Sequence, residues 1–362
     1  MADQTTRIET AKLLHDRVLV ATHATLPADF AEILGAHADI SGVISAGGAA
    51  AAQCLNFGKV VPDVVLGHDA EAAPGYWASA DHPFQLPPDE GLFGQVTLAE
   101  QVQGTDERLD VVLSPSGVIR TGDRATLESV VEHCNAVTDP RLLCALPVEA
   151  CWFTDEHREH LIGAIRASSH LAILSAVGFA DPFQNPRVTD GLVALTECCG
   201  ARLVLHRTDM TAVQYLARGG CAAVVGTTTT LRHSAPRSRK RRKGFKRGGA
   251  VFIAGIDEFR DVELVRSWFG DSAPRCADPH CCGRLLTDFD PYDADDMAVL
   301  MAHNVRGVLG VVSELLAADN RRQWLAVYRD RIRTAYDELR AKTKIRDVSA
   351  YAGADVWLNM TD

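Results

Sequence analysis

No stretch of this 362-residue sequence reaches the ~18–20 consecutive apolar residues of a bilayer-spanning helix, so no membrane span is expected. The first residues, Met-Ala-Asp-Gln-Thr-Thr-Arg, are polar and lack the apolar core of a secretory signal, which makes the cytoplasm the expected compartment. No Gly-x-Gly-x-x-Gly follows the first apolar run and no Walker lysine motif occurs, which weakens a nucleotide-binding reading. Cys-x-x-Cys pairs are missing too, so any thiol-based metal site must use another spacing. Positive charge is scarce: 37 Lys and Arg face 47 Asp and Glu, a net charge of −10. A molecule of that sign does not adhere as a whole to nucleic acid or anionic lipid.

What is present is unevenly placed. Eight of the eleven residues from Arg237 to Arg247 are Lys or Arg, among them Arg239, Lys240, Arg241, Arg242 and Lys243. Such a block is a solvated, self-repelling loop. It is also the charge that a phosphate backbone attracts, so tRNA or DNA is the partner it suggests. The ten cysteines, in a reducing compartment, are read as small buried hydrophobes or metal ligands rather than disulfides.

A composition of 47% hydrophobic and 23% charged residues suits one large domain with an appendage. Eight short apolar runs read as strands: Arg17–Ala21, Ile40–Ser45, Leu109–Leu113, Leu142–Leu146, Leu171–Ser175, Ala201–Leu205, Cys221–Val225 and Ala250–Ile256. Most are continuous rather than alternating, as in parallel strands covered on both faces. Between them lie helical patterns, with Leu127, Val130 and Val131 on one face, then Leu161, Ile162 and Ile165, then Val213 and Leu216 before Gly219-Gly220. The expected fold is a (β/α)8 barrel over residues 1–274, with an open doubly wound sheet as the alternative. A Pro- and aromatic-rich insertion over 47–107 breaks the rhythm, and within it Val60–Leu66 is a further strand candidate. A cysteine-rich loop and two amphipathic helices over 275–345 form the appendage, followed by a tail over 346–362.

Barrel active sites lie at the C-terminal ends of the strands. The candidates there are Ser114 and Ser116, Glu149, Asp181, Arg207 and Asp209, then Thr228, Arg232 and His233, then Asp257 and Glu258, with His23 read as an ordinary hydrogen-bonded histidine. Glu149, Asp209 and His233 are the candidate acid–base groups. Arg207, Arg232, Thr228, Ser114 and Ser116 suit a polar or anionic ligand. The competing structural reading makes Asp209 the N-cap of the helix that follows it.

Cys276, Cys281 and Cys282 offer three thiolates within seven residues, and His303 follows at the start of a helix. Together they make a ligand set for structural Zn2+. His280 is an alternative to one of the adjacent cysteines, and a packed His303 beside reduced thiols is the reading without metal. This order of barrel, cysteine cluster and His303-Asn304 on an amphipathic helix resembles the C-terminal part of the tRNA-guanine transglycosylase family. The resemblance covers Arg275–Ile332, with an echo in His206-Arg-Thr-Asp209 and Arg218–Gly226. It implies a zinc-bearing barrel, glycosyl transfer on a nucleobase of tRNA, and a homodimer formed through the appendage. The cysteine spacing departs from the family's Cys-x-Cys-x-x-Cys. The family's two aspartates have no counterpart in the comparable segments, where Pro115 and the run Ala222–Gly226 stand. The absence of both undercuts the reaction by its usual means, so base exchange would need relocated carboxylates. The alternatives are a degenerate nucleic-acid-binding protein or a barrel enzyme acting on an unrelated small metabolite.

Overall fold

A computed structural model describes residues 4–23, 28–47, 50–70, 75–87, 96–178, 181–234, 249–270, 273–276, 283–290, 292–343, 348 and 352–360. The basic run 237–247, His280, Cys281 and Cys282 lie outside these residues.

After helix α1 (Gln4–Leu14), strands and helices alternate: β1 (Arg17–Thr22), α2 (Ala28–Ala36), β2 (Ser41–Ala46), α3 (Ala50–Gly58), β3 (Val65–Asp69), α4 (Leu98–Gln103), β4 (Val111–Leu113) and α5 (Arg124–Asn135). The order continues through β5 (Leu142–Glu149), α6 (Asp155–Ala167), β6 (Ala172–Val177), α7 (Pro186–Cys199), β7 (Leu203–Thr208), α8 (Thr211–Ala217) and β8 (Ala222–Gly226). These eight strands pair in sequence, all parallel, and β8 returns to β1, which closes a barrel. The chain is thus a (β/α)8 barrel, in which no sheet edge is left unpaired.

Two of the expected strand assignments change. The third barrel strand is Val65–Asp69, inside the segment read as an irregular insertion, and it pairs with both β2 and β4. Ala250–Ile256 is not a barrel strand. After α9 (Thr229–Arg232), β9 (Ala250–Ile253) pairs antiparallel with β10 (Glu258–Asp261) in a separate hairpin. Helices α10 (Val262–Phe269), α11 (Ala294–Leu316), α12 (Arg321–Thr343) and α13 (Ala352–Asn359) complete the chain.

Strand alternation sorts the apolar residues into two cores. Leu19, Ile44, Val65, Leu143, Ile173 and Val204 belong to the cluster that fills the barrel. Val18, Val43, Leu66, Leu142, Leu174 and Leu203 belong to the cluster between strands and helices. Gly67 is required inside: a Cβ there would come within 2.7 Å of the Val111 side chain. The helices bury the predicted faces, including Leu127, Val130 and Val131 of α5 and Leu161, Ile162 and Ile165 of α6. The Asp123 carboxylate caps α5 by accepting from the Thr126 N–H. Helix α11 is long and apolar enough to cross a membrane, but 61% of its apolar window is buried inside the molecule, where it packs on the hairpin, α2 and β1.

Candidate functional site

The barrel mouth is polar at the ends of β3, β6, β7 and β8. On β3, Val65, Gly67 and Asp69 share the inward face, so Asp69 stands directly above the apolar filling. Strand β7 lies four positions away in the closed order, across the barrel. Its register against β8 shifts between Leu205 and Thr208, and Arg207 there adopts φ 54°. This left-handed conformation is unfavourable for a side-chain-bearing residue and re-aims the strand end. Arg207 Nη2 reaches Asp69 Oδ2 at 3.4 Å, and His206 Nε2 stands 3.8 Å from the same oxygen. His206 Nδ1 makes a 3.0 Å hydrogen bond with the Ser175 hydroxyl on β6. Burial, opposed by Asp69 and reinforced by Arg207, pushes the His206 pKa down to about 4, so its ring is neutral near pH 7.

A second constellation sits beside the first. Beyond β8 the chain turns back through α9, and Ser234 pairs with Val177 at the end of β6. Gly226 permits the turn, because a Cβ there would lie 2.2 Å from the Leu231 carbonyl carbon. His233 is thereby placed between two carboxylates, Nδ1 3.9 Å from Asp181 Oδ1 and Nε2 3.8 Å from Asp209 Oδ2. Asp181 is buried. Its Oδ1 accepts from the Phe183 N–H, and Oδ2 has no hydrogen-bond partner among the described residues. Burial first, and then the Asp209 charge, push its pKa up to about 8. A protonated carboxyl, an imidazole and a second carboxylate therefore stand in series at the barrel mouth.

Other predicted residues have structural partners. Asp209 is not the N-cap of α8, which is Met210; it stands one residue earlier, where its Oδ1 accepts from the Thr211 N–H at 3.0 Å while Oδ2 faces His233. The Glu149 carboxylate accepts from the Thr121 N–H at 2.7 Å. The Ser114 hydroxyl accepts from the Ala145 N–H and bonds with the Ser116 hydroxyl, both at 2.9 Å, which stitches β4 to β5. Thr228 bonds with Thr230 at 3.0 Å. Arg232 is buried, donates to the Thr229 hydroxyl, and lies 4.0 Å from the centre of the Phe259 ring. His23 shares a hydrogen bond with the Ala46 carbonyl. Asp69 is the residue sequence reasoning missed. Its signal is a polar His-Asp pair ending the apolar run Val64-Val65-Leu66-Gly67.

In the appendage, His303 Nδ1 lies 3.1 Å from Cys276 Sγ. His303 Nε2 is 2.8 Å from the Phe252 carbonyl. A carbonyl only accepts, so Nε2 carries the proton and the Nδ1 lone pair faces the sulfur. Fixing one ring nitrogen by a backbone carbonyl while the other faces a soft ligand is how metal-binding histidines are held. These two residues fit a Zn2+ ligand pair. Among the described residues no group of three or more potential ligands forms.

No family model matches the sequence, and no curated protein matches it. Among solved structures, a candidate fructose-1,6-bisphosphate aldolase from Coccidioides immitis is similar at 11% identity and a TM-score of 0.39, over 86% of this chain and 96% of that one. Pyruvate carboxylase from Rhizobium etli is similar at 12% identity and a TM-score of 0.35, over 98% of this chain but 35% of that one. The chain is a (β/α)8 barrel by its own strand pairing, and only distantly like these two.

Proposed function

We propose that the chain is a divergent relative of the tRNA-guanine transglycosylases, acting on a nucleobase of tRNA or DNA by glycosyl transfer with relocated carboxylates. The observation that carries this reading is the pairing, at one barrel mouth, of an inward carboxylate on β3 with a buried carboxyl held protonated beside His233. Glycosyl transfer uses such a division of labour: one carboxylate captures the sugar's anomeric carbon while another group protonates the departing base. Asp69 is the proposed nucleophile. Its oxygen bonds to the anomeric carbon as the bond from that carbon to the base nitrogen breaks. The proton for the base comes from Asp181 through His233, with Asp209 orienting the ring. Arg207 holds Asp69 across the barrel and contributes to binding the anionic substrate. Zinc, held by Cys276, His303 and the cysteines at 281 and 282, is structural in this proposal. Arg239–Lys243 would contact the phosphate backbone.

The test is incorporation of labelled guanine into tRNA and into duplex DNA. The expected result is incorporation by the parent, none by Asp69→Asn, and a strong reduction in Asp181→Asn and Asp209→Asn. Incorporation unaffected by Asp69→Asn, or none with either nucleic acid, overturns the reading.

A second reading, binding without turnover, draws on the lack of carboxylates at Pro115 and along Ala222–Gly226. It predicts nucleic-acid binding that weakens steeply with salt and is lost when 237–247 is deleted.

A further inference from the structure

Behind the barrel mouth lies a cavity of about 360 Å³, walled by the β7 and β8 loops, the β9–β10 hairpin, α12 and α13. Its size falls in the range of roughly 300–1,000 Å³ typical of small-molecule sites. Asp209 and His233 belong to both the mouth and this cavity, but most of its wall comes from elements outside the barrel.

The wall disfavours an anion and leaves a cation no bare aromatic face. Four carboxylates line it, those of Asp209, Asp257, Glu258 and Asp261, so an anion is repelled. A cation would seek the aromatic faces. Arginines already occupy them: Arg232 lies 4.0 Å over Phe259, Arg331 5.3 Å over Tyr328, and Arg218 5.5 Å over Trp357. The carboxylates are also engaged from behind, Glu258 with Arg260 at 2.6 Å and Asp257 with Arg331 at 3.5 Å. Acceptor capacity nevertheless persists, because a carboxylate offers about four lone-pair positions. Arg232 supplies donors in the same wall, and Ile256, Ile332 and Leu358 supply apolar surface.

We infer that this cavity is a binding site for an uncharged heterocycle of nucleoside size. Ring N–H groups meet the Asp209 and Asp257 oxygens, a ring carbonyl meets Arg232, and the ring faces lie on the isoleucines and Leu358. Asp257 is built for a fixed role in such a wall. It holds φ 48°, and its carboxylate accepts from the Gly255 N–H at 2.9 Å. The inference goes beyond the glycosyl-transfer reading and stands without it.

Trp357 in the wall provides the readout. Adenosine, cytidine and inosine are titrated into the full chain with tryptophan emission followed, and the affinity is checked by calorimetry. Saturable binding of at least one nucleoside is expected. It should weaken at least tenfold in Ala354→Trp, which fills the cavity, and in Met210→Trp should the first variant not fold. Asp69→Asn should bind as the parent does, so loss of transfer activity and loss of this site are separable. Binding of spermidine or inorganic phosphate without any nucleoside, binding of nothing at all, or unchanged affinity in the filled variants overturns the inference.

Discussion

Asp69 and Arg207 face each other from opposite strands of the barrel, Oδ2 to Nη2 at 3.4 Å. The contact joins residues 138 positions apart, and it exists because a strand irregularity turns Arg207 inward. Asp69→Asn removes this carboxylate charge from beside the guanidinium, which is 16% exposed. A destabilisation of about 1–3 kcal/mol is expected from such a loss. Urea unfolding measures it, and an unchanged midpoint would show that the pair is energetically idle.

The neighbouring imidazole offers a separate test. Burial is the dominant influence on His206 and carries its pKa to about 4. In histidine-labelled protein its ring resonances should stay fixed from pH 5 to pH 8. Asp69 opposes that shift, so Asp69→Asn should move the transition lower still. A His206 ring that titrates near pH 6.5 contradicts the geometry.

Asp181 makes folding pH-dependent in a direction opposite to most aspartates. Its pKa rises from the usual 3.8 in an exposed chain to about 8 when folded. Between those values the folded state keeps a proton that the unfolded chain has released, so stability falls as pH rises through the window. The slope is at most about 1.4 kcal/mol per pH unit. Asp181→Asn removes this term. Its melting temperature should exceed the parent's at pH 8, with the gap closing toward pH 4. Parallel melting curves across that range would refute the assignment.

Gly226→Ala places a methyl group 2.2 Å from the Leu231 carbonyl carbon. The turn carrying His233 must then shift. Overpacking of this kind costs about 1–3 kcal/mol. Thermal unfolding should show the loss, and the Asp181 pH dependence should change with it.

Metal analysis of the purified chain should return close to one zinc per chain, with both Cys276→Ser and His303→Ala lowering that content and the melting temperature. A parent free of zinc after purification without chelators would leave the Cys276–His303 contact as a plain thiol–imidazole hydrogen bond.

Seven of the eight barrel strands were legible as continuous apolar runs, because covered parallel strands have no polar face to interrupt them. Val65–Asp69 was caught only at its first two residues, by the Val60–Leu66 candidate. Its inward positions are Val65, Gly67 and Asp69, so only one is apolar in character, and the run ends in two titratable residues. Ala250–Ile256 passed for a strand of the barrel because Val251, Phe252 and Ile253 are all buried, but their cover is α11 and the hairpin. The carboxylate–arginine contact was out of reach for the same reason: with the strand candidate ending at Leu66, nothing places Asp69 opposite Arg207. The bond from Asp209 to the first turn of α8 was readable from local chemistry alone, though the cap position itself falls to Met210. The tail gave no periodic signal, yet Trp357 of α13 donates to the Thr211 hydroxyl at 3.2 Å and closes a wall of the side cavity.

The His303-Asn304 dipeptide ties helix α11 to the hairpin. Asn304 accepts from the Phe252 N–H with its amide oxygen and donates to the Ala250 carbonyl with its amide nitrogen, both at 2.7 Å, while His303 donates to the Phe252 carbonyl. Two side chains of a helix thus satisfy the outer rim of β9 as an added strand would. Asn304→Ala would leave the Phe252 N–H and the Ala250 carbonyl beneath α11 without these bonds, at about 1–3 kcal/mol per buried group, and would loosen the helix's grip on the ribbon.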